Sequence, residues 1–217
     1  MSEKYGVIPQ RFTKKWWEYI WDYYKWFIIA GAFAISLALF TVYQVMSTPH
    51  YDLTVTLASG HLFGDDDVAK ISELINANST DINGDGEVNC DISRLMFLGD
   101  IQMDNAYNTK FLLSLQESDC LIYLMDRERF DSLMRQGLSD EEFTSVNEWS
   151  DTEFSDEDCY IKDGIKFGVK ISKSSQWNID VEDGTELYLA VRRNYIDTEE
   201  TDALYKACLD VARELIK

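Results

Sequence analysis

The chain has 217 residues, 46% of them hydrophobic, with two prolines and 11 glycines. That suits one sizeable core, or a core plus a membrane segment, and excludes a collagen-like or low-complexity chain. A net charge of −19 repels phosphate backbones and argues against nucleic acid as a partner.

The charge is unevenly placed. Residues 1–25 hold Lys4, Arg11, Lys14, Lys15 and Lys25 against Glu3, Glu18 and Asp22, a net +2. Residues 26–46, WFIIAGAFAISLALFTVYQVM, hold none, so the chain's −19 places −21 on the rest. A helix of about 20 apolar residues covers the hydrocarbon core of a bilayer, so Trp26–Met46 reads as a transmembrane helix. The basic residues before it and the absence of any Lys or Arg between Met46 and Lys70 predict a cytoplasmic N-terminus and an extracytoplasmic body. The length of the run and of the segment before it favour an uncleaved anchor over a signal peptide.

The stretch KKWWEYIWDYYKWF before it sets Trp16, Trp17, Ile20, Trp21 and Tyr24 at helical spacing. Amphipathic rings and lysines suit the headgroup layer, so residues 1–25 read as a cytoplasmic juxtamembrane segment. The segment either lies along the membrane as a short helix or is an early start to the membrane helix. Residues 47–51 are a linker containing Pro49.

Residues 52–217 read as one α/β domain. DLTVTLAS at 52–59 alternates as a strand, and DDDVAKISELINAN sets Val68, Ile71, Leu74 and Ile75 on one helical face behind an acidic first turn. EVNCDISRLMFL predicts a strand. NAYNTKFLLSLQES predicts a helix, with Tyr107, Phe111 and Leu115 four apart. DCLIYLMD predicts a strand buried on both faces, and RERFDSLMRQG a helix stopping at Gly137. This β-α-β-α-β-α order predicts a mainly parallel, mixed sheet flanked by helices. An acidic, loop-rich stretch follows. Two Asp-Gly turns, at 163–164 and 183–184, each lead into a strand, and a last helix carries Leu204, Cys208, Val211 and Leu215 on one face.

The succession DCLIYLMDRERFDSLMRQG, FTSVNEW, IKDGIKFGVKI and ELYLAVRRN resembles the first lobe of type 2 extracellular solute-binding proteins, over about residues 52–194. The resemblance implies an extracytoplasmic recognition domain. Lys170 stands where that family has a proline after its Gly-Val pair, and the sequence offers no room for a second lobe to close on a solute. The expected role is therefore recognition of a membrane or extracytoplasmic protein partner, or of a small ligand at the strand ends. A transporter accessory subunit is the alternative, and a hydrolase with an unfamiliar site is a third reading.

Signals for catalysis are sparse. His61 lies ahead of Asp65, Asp66 and Asp67, which reads more simply as a loop histidine before a helix start than as a metal cluster. No metalloprotease, serine-hydrolase or phosphate-loop pattern occurs, so a non-enzymatic role is expected. Cys90, Cys120 and Cys208 fall on apolar faces, and with Cys159 their spacing contains no Cys-x-x-Cys. Free thiols are expected, with disulfides open to an extracytoplasmic domain.

DINGDGEVN at 81–89 resembles the calcium loops of dockerins and of the periplasmic galactose-binding protein. In a twelve-residue loop, Asp81, Asn83 and Asp85 offer side-chain oxygens at positions one, three and five, Glu87 its carbonyl at seven, and Asn89 stands at nine. Position twelve is Ile92, which supplies no oxygen. The resemblance to the galactose-binding protein implies that the last carboxylate comes from elsewhere in the chain. A polar Asp/Asn/Gly turn explains the same residues without metal. The expectation is a weak structural Ca2+ site.

Overall fold

A computed structural model of the chain describes residues 10–47, 51–116, 120–136, 142–171, 176–177, 185–195 and 198–217. It divides into two units, Met1–Pro49 and His50–Lys217.

The first unit is one helix, α1 (Lys14–Ser47). It runs unbroken from the aromatic segment through the apolar run, so residues 14–25 share one helix with that run. At 1.5 Å per residue its 34 residues extend about 50 Å. None of its side chains is buried; Phe33 and Phe40 are among those exposed. Trp16–Trp17 and Tyr19–Tyr23 form ring pairs at its start, with centroids 4.9 and 5.0 Å apart.

The second unit is α/β. Its elements are β1 (Leu53–Ser59), α2 (Asp65–Asn78), β2 (Cys90–Met96), α3 (Ile101–Ser114), β3 (Cys120–Asp126), α4 (Arg127–Arg135), α5 (Val146–Trp149), a 3-10 turn (Asp156–Asp158), β4 (Cys159–Lys162), β5 (Ile165–Lys170), β6 (Leu187–Val191) and α6 (Glu199–Leu215). The strands form one sheet in the order β2-β1-β3-β6-β5-β4. β1 pairs in parallel with β2 and with β3. The β3–β6, β6–β5 and β5–β4 pairs are antiparallel. The expectation of a mainly parallel sheet thus holds only for the β1–β3 half. Helical crossovers permit the parallel pairing there, whereas beyond it β4 and β5 are joined by a short hairpin and β6 enters antiparallel to both β3 and β5.

Alternation along the strands divides the core between the two faces of the sheet. Leu53, Val55 and Leu57 of β1, Ile122 and Leu124 of β3 and Leu189 and Val191 of β6 pack with Ile71 and Ile75 of α2 and with Cys208, Val211 and Leu215 of α6. Ala58, Tyr123, Met125, Tyr188 and Ala190 pack on the other face with Phe111 of α3 and with Phe130, Leu133 and Met134 of α4. Each such Leu, Ile or Phe contributes about 1.5–3 kcal/mol on burial. The helices after β1 and β2 lie on opposite faces because β2 and β3 flank β1 on opposite sides.

Two positions are set by backbone chemistry. Asp163 and Gly164 both have positive φ, at 50° and 82°, the hand that joins twisted antiparallel strands. That hairpin includes β4, a strand not anticipated before the turn. At Gly168 in β5 an added Cβ would come 3.0 Å from Phe130 Cζ and 3.2 Å from Tyr188 Cβ, tight contacts that would require those neighbours to give. Gly137 and the turn at 183–184 lie outside the described residues. Lys170 donates to Glu186 Oε1 at 2.6 Å, and the Tyr188 hydroxyl donates to Glu186 Oε2 at 2.7 Å. Those two bonds, Lys170 first, hold the Glu186 carboxyl below its ordinary value.

Candidate functional site

In an open α/β sheet the usual binding position is outside the carboxyl ends of the strands, where successive crossovers part to opposite faces. Here that point lies between β1 and β3. It is bridged rather than open. The Asp126 carboxylate, at the end of β3, accepts Gly60 N–H at 2.5 Å through Oδ2 and Arg129 N–H at 2.8 Å through Oδ1. It therefore caps α4 and ties the loop after β1 to β3 while itself 7% exposed.

The loop after β2 is held as firmly. Ser59 and Met96 are register partners, and Phe97 N–H donates to Ser59 O at 2.8 Å, so the loops after β1 and β2 leave the sheet side by side. Gly99 turns the second loop with φ 89°. Asp100 then caps α3 by accepting from Gln102 N at 2.9 Å and Met103 N at 3.1 Å. Arg129 lies 4.2 Å over the Phe97 ring, closing the base of this edge.

What these loops expose is apolar. Leu62 is 64% exposed, Leu98 57%, Ile101 78% and Met103 50%. Asp65, Asp66, Asp67 and Asp100 stand beside them in the same loops and first helical turns. These apolar side chains are exposed on a capped, hydrogen-bonded framework. His61 shares the edge: its N–H donates to Ser59 Oγ at 3.0 Å and its ring meets Phe63 edge-on at 4.9 Å.

The stretch 81–89 lies at the opposite, amino end of the parallel strands. The side chains of Asp81, Asn83 and Asp85 turn back onto the loop's own backbone, and those of Glu87 and Asn89 pair with each other. Asp81 accepts from Gly84 N (2.6 Å) and Gly86 N (2.9 Å), Asn83 from Asp85 N (2.9 Å), and Asp85 from Glu87 N (2.8 Å). Glu87 Oε2 accepts from the Asn89 amide at 3.2 Å. Gly84 and Gly86 have φ of 76° and 88°, which these bonds require. Ile92 lies in β2, half-buried against the core. Among the described residues no three His, Cys, Asp or Glu side chains converge as a metal group.

The loop's main support is a residue the sequence reading passed over. Asp52, at the entry to β1, is 4% exposed. Its Oδ1 accepts Ile82 N–H at 2.8 Å and Asn83 N–H at 3.0 Å, and its Oδ2 accepts Asn89 N–H at 2.9 Å. Burial pushes this carboxyl up, but the bonds from Asn89, Asn83 and Ile82 together outweigh it and lower its pKa. A remote carboxylate does reach the loop, but it holds the backbone rather than joining a cluster of acids.

Cys90, Cys159 and Cys208 are buried, Cys90 and Cys208 in the apolar settings expected of them; the side chain of Cys120 lies outside the described residues. Burial pushes the Cys90 and Cys159 thiols up, away from the reactive thiolate. The signal that could have found Asp126 was available: an Asp directly before RERF fits a helix cap. Its bond to Gly60, 66 residues earlier, had no local trace. Comparison of the chain with protein-family models, with curated proteins and with solved structures yields no match.

Proposed function

We propose that this protein is a membrane-anchored recognition module that binds a protein partner through the carboxyl end of its parallel strands. The observation that carries this reading is the set Leu62, Leu98, Ile101 and Met103, exposed on loops fixed by Asp126 and Asp100. Asp66, Asp67 and Asp100 accompany these apolar side chains in the same loops and first helical turns. A fitting partner presents an apolar knob ringed by Lys or Arg.

Anchoring is supported by α1, which is long and apolar enough to cross a membrane. The charge bias around it supports a cytoplasmic N-terminus, with the body outside. External protease added to intact cells is expected to remove the body beyond residue 50 and spare an N-terminal tag; a protected body refutes this topology.

Within this reading the stretch 81–89 is a weak structural calcium site. Side-chain oxygens of Asp81, Asn83 and Asp85, with backbone oxygen from Glu87, form a donor set suited to a hard cation. Because Asp52 already holds the loop in shape, calcium would reinforce the turn rather than create it.

The partner surface is tested by photocrosslinking the full-length protein in its native membranes. A probe at Leu62 should give one discrete adduct. Leu98→Asp should remove it, and an adduct that survives Leu98→Asp refutes the surface.

A further inference from the structure

The sheet ends in two strands with unlike edges. β4, at one end of the strand order, has four residues, a register shift between Tyr160 and Ile161, and a lysine at its close, Lys162. Short, irregular, charged edges of this kind resist pairing with other chains. β2, at the other end, has seven residues in unbroken parallel register with β1, from Cys90 opposite Leu53 to Met96 opposite Ser59. It contains no lysine, proline or glycine.

The direction of its backbone groups follows from the bonds at its two ends. Phe97 N–H donates to Ser59 O of β1 at 2.8 Å, so the odd-numbered residues of β2 face β1. Cys90 N–H points the other way and donates to Asn76 Oδ1 at 2.9 Å. Ile92, Arg94 and Met96 follow Cys90 at steps of two, so they turn N–H and C=O to the open edge. Among the described residues nothing takes up these groups. The cation of the strand is already matched, because Arg94 Nη1 donates to Asp65 Oδ1 at 2.6 Å. Asp91 on the strand, Asp66 beside Asp65, and Asp100 at the start of α3 leave the surroundings of this edge negative.

We propose that an extended, basic segment of the partner protein adds to the sheet along β2. Its backbone bonds to Ile92, Arg94 and Met96, and its Lys or Arg side chains meet Asp91, Asp66 and Asp100. Main-chain bonds supply attachment in this mode, and flanking side chains supply selectivity. The proposal rests on the recognition role above and specifies how the partner is held. Leu98 follows Met96 by two residues, about 7 Å of extended chain, so a segment running past the end of β2 reaches Leu98 and then Ile101. Charge decides against a second copy as the occupant: each body carries −21, and pairing two copies edge to edge brings like charges together.

The test uses the full-length protein in native membranes, with a photocrosslinker at Leu62 and the adduct read by mass spectrometry. Arg94→Pro removes an outward N–H and sets a ring on the open side, without loss of a bond to β1. Arg94→Ala removes the same side chain and its bond to Asp65 but keeps the N–H. Arg94→Pro should lower the adduct yield about tenfold, and Arg94→Ala should leave it within about twofold. The crosslinked partner peptide should carry Lys or Arg beside apolar residues. In the purified wild-type adduct, amide exchange at Ile92, Arg94 and Met96 should slow relative to the uncrosslinked protein. That measurement decides if Arg94→Pro does not fold, and unchanged exchange overturns strand addition. An adduct that survives Arg94→Pro, one lost equally in Arg94→Ala, one made of two copies of this chain, or an acidic partner peptide also overturns it while leaving the Leu62 surface in place. No adduct from wild type overturns the recognition role itself, and strand addition with it.

Discussion

Both ends of the parallel strands are held by a buried aspartate, and the two ends present different surfaces. At the amino end Asp52 gathers three backbone N–H groups from residues 82–89 and shapes a loop of Asp, Asn, Gly and Glu. At the carboxyl end Asp126 gathers two, from Gly60 and Arg129, and the loops it steadies expose Leu62, Leu98 and Ile101. The amino end is what a solvated turn should be: polar outside, with its donors satisfied within. The carboxyl end has equally satisfied backbone but leaves apolar side chains in water. In the recognition role proposed above, the tightly held backbone presents exposed leucine and isoleucine that core packing does not require.

The sharpest way to break the comparison is to remove the aspartates, and Asp52 should matter more. Asp52→Asn exchanges a carboxylate for a group that cannot accept all three N–H bonds. Chemical denaturation should show a loss of about 3 kcal/mol. The wild-type bonds also predict acid sensitivity. The folded pKa of Asp52 is depressed, so its contribution is fully present above the unfolded carboxylate range. It is lost as pH falls through the lower folded value. Asp52→Asn should therefore flatten the acid limb of the stability curve, and an unchanged limb would remove Asp52 from its assigned role.

Asp126→Ala removes a helix cap and the tie to Gly60, a smaller loss of about 1–2 kcal/mol. Hydrogen exchange should quicken at Gly60 and Arg129, the amides it binds, while those of 82–89 stay unchanged. Faster exchange at both ends would mean that the two aspartates do not act locally.

Calcium gives the smallest expected effect. Near its Kd, calcium should stabilise the fold by about 0.4 kcal/mol, rising to about 2.7 kcal/mol at 100 times Kd. Asp85→Ala should abolish this increment in a melting titration, and magnesium should substitute poorly. Identical curves for wild type and Asp85→Ala would make 81–89 a turn alone.

Much of this architecture was legible in the chain. The spacing of Ile71 and Ile75, of Phe111 and of Cys208, Val211 and Leu215 located helices whose faces are buried. Alternation located β1, and the apolar run 121–125 located β3. Strand direction was legible for β1–β3 from the helices between them but not beyond β3, because alternation is the same for parallel and antiparallel pairs. β4 escaped notice because four residues, CYIK, carry too little pattern after an acidic stretch. The apolar residues of the candidate surface were visible, but their exposure was not: Leu62 and Leu98 read like core residues until the loops around them are placed. The burial of Arg192 was hidden for the converse reason. Beside Arg193 it reads as surface charge, and only the strand register puts it inside.

The most direct test of the central claim sets the two ends against each other in one experiment. A photocrosslinker is placed at Leu62 on the carboxyl end, and at Asp85 on the amino end, in the full-length protein in native membranes. The recognition account predicts one discrete adduct from position 62, lost on Ile101→Asp at unchanged melting temperature, and none from position 85. The same adducts from both positions, or an adduct from position 85 alone, would contradict it.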